Sequence, residues 1–291
     1  YALVSFKSCY LRAHYPAEFM AAVISNQGGY YSSFAYISEA RRMGLIILLP
    51  DINDSEWEYT GYNRRLQLGF MQLKGVRRDT MNAILEERKK RPYRNFNDFL
   101  KRVNPDPNDV RILIKAGVFD RLEPELTRPE LMWLLSLKYN KIPKKHATTL
   151  PLFEDEIPVM PRSEDYDLNT QIKHEVETLG FLVSCHPLTL YRETLKKHNY
   201  ILAKDMQHYS GKNVTMIGWL VTRKMTKTKN DEAMEFISFE DTTGIYESVF
   251  FPKAYQKFCY MLSHSRPYLL RGKAEEEFGA VTLTVSEIKY L

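Results

Sequence analysis

Leu66-Gln67-Leu68-Gly69-Phe70-Met71-Gln72-Leu73-Lys74-Gly75-Val76-Arg77-Arg78-Asp79-Thr80-Met81-Asn82-Ala83-Ile84-Leu85-Glu86-Glu87-Arg88 is the stretch whose reading decides the fold. Leu73-Lys74-Gly75-Val76 closes one short element. Met81, Ile84 and Leu85, at i, i+3 and i+4, mark the buried face of a new helix. This is the pattern of a helix-hairpin-helix. Glycine has no Cβ, so the hairpin backbone can approach a ligand closely. The first N–H groups of the following helix lack intrahelical acceptors and form an anion site. Lys74, Arg77 and Arg78 add positive charge there. The expected ligand is a nucleic-acid phosphate, gripped without regard to base sequence. The residues expected to contact duplex DNA are therefore Lys74, Gly75, Val76, Arg77 and Arg78. Arg77 stands where the motif usually carries a second glycine, and its side chain is the expected substitute donor. On these residues alone, a helical hairpin with a solvated basic turn is an equally good reading.

The 291-residue length suggests two or three modest domains. With 44% hydrophobic and 26% charged residues, the chain has globular composition. No apolar run approaches the ~20 residues that span a bilayer, and no signal peptide is visible. A net charge of +5 is compatible with nucleic acid without requiring it. Cys9, Cys185 and Cys259 lie far apart with no ligand spacing, which fits reduced cytosolic thiols and a cytoplasmic location. Tyr1-Ala2-Leu3-Val4 reads as the inside of a helix, so a piece of a longer protein is expected.

Outward from the hairpin, residues 1–50 read as helical. Leu3, Phe6, Tyr10 and Leu11 recur at helical spacing, Pro16 opens a second helix, and Ser33 is placed to cap a third that stops at Gly44. Leu45 to Leu49 is a short strand candidate. Residues 51–125 hold the hairpin and its mate. Phe96, Phe99 and Leu100 face inward on a connecting helix, and Ala116-Gly117-Val118-Phe119-Asp120 forms a second glycine-centred turn, read as mainly structural. The two hairpins pair because one alone buries too little apolar surface.

Residues 126–165 contain a helix and then a proline-flanked segment, Thr149-Leu150-Pro151-Leu152-Phe153, with acidic residues after it. An apolar plug on a tether suits a partner's hydrophobic pocket. By composition alone, a loop tucked onto its own domain is the simpler reading. Residues 166–210 read as a helical connector. In it Cys185-His186 lacks further residues at ligand spacing, so His186 before Pro187 is expected to order a turn.

Residues 211–291 show five short strands with a helix between the third and fourth, the element order of an OB-fold barrel. The expected loop between the first two strands carries Arg223, Lys224, Lys227 and Lys229. Alternation puts Ile237 and Phe239 on one face and Phe236 on the other. Arg223, Lys224, Lys227, Lys229 and an exposed Phe236 are the residues expected to hold a single strand, by charge along the backbone and stacking on bases. The whole reads as a multi-domain α + β chain. A mostly helical first two-thirds carries a tandem helix-hairpin-helix, and a five-stranded OB-fold β-barrel follows.

Several motifs together resemble the bacterial DNA polymerase III alpha subunit family. They are Leu11-Arg12-Ala13-His14-Tyr15-Pro16-Ala17-Glu18-Phe19-Met20, Glu39-Ala40-Arg41-Arg42-Met43-Gly44, Pro50-Asp51-Ile52-Asn53, Lys74-Gly75-Val76, Leu113 to Asp120, Ser184-Cys185-His186-Pro187-Leu188 and Phe239-Glu240-Asp241-Thr242-Thr243-Gly244. The resemblance covers nearly the whole chain in order. It implies the end of the fingers region, tandem hairpins on duplex DNA behind an active site, and an OB domain near the template strand. Thr149-Leu150-Pro151-Leu152-Phe153 then falls at the family's sliding-clamp motif, with Thr149 for glutamine and Pro151 for serine. Implied partners are duplex and single-stranded DNA, the sliding clamp and other replisome subunits, with no membrane. The family's palm aspartates, and the Mg2+ the parent polymerase uses, would belong upstream of Tyr1. No catalytic residue, metal site or cofactor is therefore expected in this chain. Trp57 with Leu150-Pro151-Leu152-Phe153 is similar to the error-prone branch, and the replicative branch stays open beside it. A different class of function, a helix-hairpin-helix and OB module that binds proteins, also stays open.

Overall fold

The computed structural model describes residues 1–27, 31–140, 162–263, 266–277 and 279–291. Three helices open the chain: α1 (Ala2–His14), α2 (Pro16–Asn26) and α3 (Ser33–Arg42). Pro16 sits in the first turn of α2, where its missing N–H costs nothing. The cap of α3 is Ser32, whose hydroxyl accepts from the Ala35 N–H at 3.4 Å, one residue before the expected Ser33. The apolar stripe of α1 is exposed throughout, because helical spacing shows that a face is apolar without supplying what covers it.

The chain forms two compact units. One comprises Tyr1–Gln27 and Gly44–Val183, the other Gly28–Met43 and Ser184–Leu291. Helix α3, read from the sequence with residues 1–50, thus groups with the C-terminal barrel.

The first unit contains a small sheet of β1 (Ile46–Leu48), β2 (Thr60–Tyr62) and β3 (Arg65–Gln67), in the order β1-β3-β2. β1 runs parallel to β3, and β2 antiparallel to it. Only β1 was expected. Three-residue strands are too short to show alternation, and their turn uses Asn63 and Arg64 at φ 46° and 59°, where arginine carries no turn signal. Gly61 lets β2 lie against α2, because a Cβ there would collide with the Ala17 backbone.

The hairpins follow. A single 3-10 turn, Phe70–Gln72, leads through Gly75 to α4 (Arg78–Lys90). Then come α5 (Phe96–Val103), α6 (Pro107–Lys115), the Gly117 turn and α7 (Arg128–Asn140). Both glycines are left-handed, at φ 83° and 77°. The shared core is aromatic: Phe119 meets Phe96 at 4.9 Å and Phe99 at 5.0 Å, while Tyr93 meets Phe99 at 5.5 Å. Phe96, Phe99 and Leu100 are buried as expected. Helix α8 (Leu168–Leu179) closes the unit and ends at the left-handed Gly180.

In the second unit, the connector after Ser184 is mostly 3-10 turns around a one-turn helix, α9 (Arg192–Leu195). The barrel consists of β4 (Asn213–Lys227), β5 (Ala233–Glu240), β6 (Ile245–Phe250), β7 (Pro267–Glu277) and β8 (Ala280–Tyr290). Helix α10 (Pro252–Phe258) lies between β6 and β7. The barrel closes in the order β4-β5-β6-β8-β7, with β6 and β8 parallel and the other pairs antiparallel. This is the connectivity of an OB barrel. Phe239, Phe250, Tyr268, Met216 and Leu270 fill its interior. The Asp241 carboxylate accepts from the N–H groups of Thr243 and Gly244, at 2.7 and 2.9 Å, and so fastens the β5–β6 turn.

Candidate nucleic-acid interface

The Gly75 turn is exposed, and each basic side chain around it has a different neighbour. The Lys74 N–H donates to the Thr178 carbonyl at 2.7 Å, and its side chain lies over Gly180. Lys74 therefore sits at the C-terminus of α8, where a helix favours positive charge. Arg77, expected to stand in for the second glycine, is tied to the second hairpin while 60% of its side chain stays exposed. Its Nε–H donates to Asp109 at 3.0 Å, and its Nη2 lies 3.5 Å from Asp106. The hydrogen bond to Asp109 raises the Arg77 pKa. Arg78 has no carboxylate partner among the described residues. Its guanidinium lies 3.3 Å from the ring centroid of Trp57. Trp57 thus holds Arg78 by a cation–π contact and leaves its donors open.

The backbone completes this turn. Among the described residues, the N–H groups of Gly75, Val76, Arg78 and Asp79 donate to no protein acceptor, and α4 has no side-chain cap. They offer an anion exposed donors at a helix N-terminus. The Asp79 carboxylate in the same turn opposes that charge. In the mate hairpin, Gly117 is closed off by Arg128, which pairs with Asp120 at 2.6 Å, and Val118 and Phe119 are buried. Trp57 and Asp109 were not expected in this role. They are remote in sequence from Arg78 and Arg77, so no local pattern points to them.

On the barrel, β4 continues as a strand to Lys227, so Arg223, Lys224 and Lys227 lie on a strand and only Lys229 lies in the short loop. Alternation then divides them. Arg223 pairs with the buried Glu235 at 2.6 Å, and Lys227 with Asp231 at 2.7 Å. Lys224 stands opposite Phe236 in the β4–β5 register, and neither it nor Lys229 has a partner among the described residues. Phe236 is 39% exposed, while Ile237 and Phe239 are buried, as alternation requires. Trp219 is half-buried and Phe250 is in the core. The surface is therefore Lys224, Lys229 and Phe236.

His186 orders a turn, as expected. Its Nδ1 accepts from the Leu188 N–H at 3.1 Å. Its Nε2 also meets the fully buried Glu240 at 3.1 Å, where Ser38 and Arg42 of α3 donate at 3.0 and 3.2 Å. This hub anchors α3 to the end of β5. Among the described residues no group of three or more His, Cys, Asp and Glu side chains is placed to hold a metal ion, and no helix is long and apolar enough to cross a membrane. Thr149, Leu150, Pro151, Leu152 and Phe153 lie outside the described residues.

Comparison with known proteins adds to this geometry. Residues 44–130 match the helix-hairpin-helix motif family. The chain is 32% identical to DNA polymerase III subunit alpha of Aquifex aeolicus over 99% of its length, and 30% identical to that of Thermus aquaticus over 95%. It is 27% identical to an error-prone DNA polymerase of Symbiobacterium thermophilum over its full length. The chain spans 24% of the first two relatives and 31% of the third.

Proposed function

We propose that this chain, which belongs to the DNA polymerase III alpha subunit family over the quarter of the relatives' length it spans, is a DNA-holding and clamp-tethering segment of such a polymerase. The observation that carries the reading is the exposed Gly75 turn, where open N–H groups stand beside an Arg78 held on Trp57. That turn takes duplex phosphates. Lys224, Lys229 and Phe236 take a single strand, with cations on its backbone and a ring under a base. Residues 149–153 take the sliding clamp. Template-directed synthesis, with its magnesium chemistry, belongs to other parts of the polymerase. The setting is cytoplasmic.

Titration of the full chain with labelled duplex and with labelled single strand tests this. Arg78→Ala weakens duplex binding and lowers the salt slope by about 0.9 for each phosphate no longer neutralised. Lys224→Ala with Lys229→Ala weakens single-strand binding and lowers its slope by about 0.7 for each such phosphate. Wild-type affinity and slope in both variants would remove both surfaces from the reading.

One observation favours a second reading. Lys74 and Arg77 are already engaged by protein groups, which suits a hairpin that serves as scaffold in a protein-binding module. Binding that stays constant across a salt series selects that reading, because neutralising phosphates releases counterions and burying apolar surface does not.

A further inference from the structure

The end of the barrel nearest α10 carries aromatic and basic side chains that the proposed function does not use. Strand β8 ends at Tyr290, which pairs in register with Tyr268 and lies 5.8 Å from it, ring to ring. The Tyr290 hydroxyl donates to the Met261 carbonyl at 3.3 Å. The Arg266 guanidinium lies over the Tyr290 ring, 4.4 Å from its centroid. Tyr260, next to Met261, is 80% exposed. On the adjoining outer face Glu287 accepts Lys289 at 2.9 Å and Arg271 at 3.5 Å. The charge of Lys257, from α10, also acts on Glu287. Three cations, Lys257, Arg271 and Lys289, therefore act on one carboxylate, and a fourth, Arg266, lies on the Tyr290 ring. Among the described residues Glu287 is the only carboxylate that forms ion pairs with them.

We propose that this end of the barrel is a second docking surface for single-stranded nucleic acid, with Tyr260 and the Arg266–Tyr290 stack receiving bases and Lys257, Arg271 and Lys289 receiving phosphates. Charge complementarity selects a polyanion. The exposed rings select one with unstacked bases: a duplex hides its base faces, and an acidic peptide leaves the rings unused. The surface is separate from the one around Phe236. Tyr268 pairs with Gly218 on β4, and Phe236 pairs with Lys224, six positions further along that strand. At the strand rise this is roughly 20 Å, a few nucleotides of extended single strand. One strand passing over the barrel can occupy both.

The test is a titration of the full chain with fluorescein-labelled oligothymidylate. Tyr260→Ala with Arg266→Ala removes exposed groups only, and an unchanged thermal midpoint verifies folding. The expected result is about tenfold weaker binding, as for removal of one base-stacking ring. Lys224→Ala with Phe236→Ala is the parallel variant. If only this second pair weakens binding, the barrel binds a single strand on one surface and the proposal fails while the Phe236 reading stands. If only the first pair does, the proposal stands and the Phe236 reading fails. Polyglutamate displacing the labelled strand as well as unlabelled oligothymidylate would also overturn it, because the site would then be reading charge alone.

Discussion

The Nε–H of Arg77 donates to Asp109 at 3.0 Å, and through this bond the turn of the first hairpin is tied to helix α6 of the second. The same carboxylate accepts the Thr80 hydroxyl at 2.5 Å and is almost wholly buried. One residue thus joins the two hairpins and pairs with a cation on the Gly75 turn. Asp109→Asn should have opposite effects on two readouts. The thermal midpoint falls, since the buried bond from Thr80 loses its charge assistance, and such bonds are worth roughly 1.5–3 kcal/mol. Duplex affinity at low salt rises as Arg77 becomes free, and the salt slope steepens by up to about 0.9. Unchanged affinity with a lowered midpoint would mean that Arg77 serves only to join the hairpins.

Gly75 adopts φ 83°, and a Cβ there would stand 3.1 Å from Ile112 Cδ1. Gly75→Val should therefore cost at least ~1–2 kcal/mol of stability from the left-handed backbone alone. It should also block the backbone's approach to phosphate. Chemical denaturation and duplex titration read the two effects separately. Wild-type duplex affinity in a folded Gly75→Val protein would exclude close backbone approach.

The tether gives a third prediction, drawn from Leu150, Leu152 and Phe153 and from the family position. Burying such side chains contributes roughly 1.5–3 kcal/mol each, and ordering the segment offsets part of this. Affinity for the cognate clamp should be on the order of micromolar, with Phe153 as anchor. Thr149→Gln should tighten binding by restoring an amide, and Leu152→Ala with Phe153→Ala should abolish it. Isothermal titration with purified clamp decides; binding that survives the double variant assigns the tether elsewhere.

Asp98 gives the pH dependence. Hydrogen bonds from Arg91, opposed by partial burial and aided by the Arg94 N–H, hold its pKa at about 2. A carboxylate lowered in the folded state stabilises it fully above its unfolded value, about 3.9. That contribution is lost as pH falls from about 4 towards 2. The thermal midpoint of Asp98→Asn should therefore lie below the wild type at neutral pH and converge with it as pH drops through this window. A constant gap from pH 7 to pH 2 would show that this linkage is absent.

Local signals foretold much of this fold. The helix start at Pro16, the stop at Gly44, and inward Phe96, Phe99, Ile237 and Phe239 all follow from capping chemistry or periodicity. Strands β2 and β3 of the small sheet were not legible, because each has only three residues and β2 is held by packing against α2. Of the expected DNA-binding residues, Gly75 and Phe236 are exposed as their local geometry required. Arg77, Arg223 and Lys227 proved to be paired with carboxylates.

The sequence by itself determined where the chain can turn, which faces are apolar and which family it resembles, because these depend on φ preferences and on periods of two and 3.6 residues. Only the tertiary structure decided which cations are available. Arg77 meets Asp109, 32 positions away in sequence, and Arg78 meets Trp57, 21 positions before it. Ion pairing and ring stacking act over a few ångströms in space, and folding alone brings such residues within that distance.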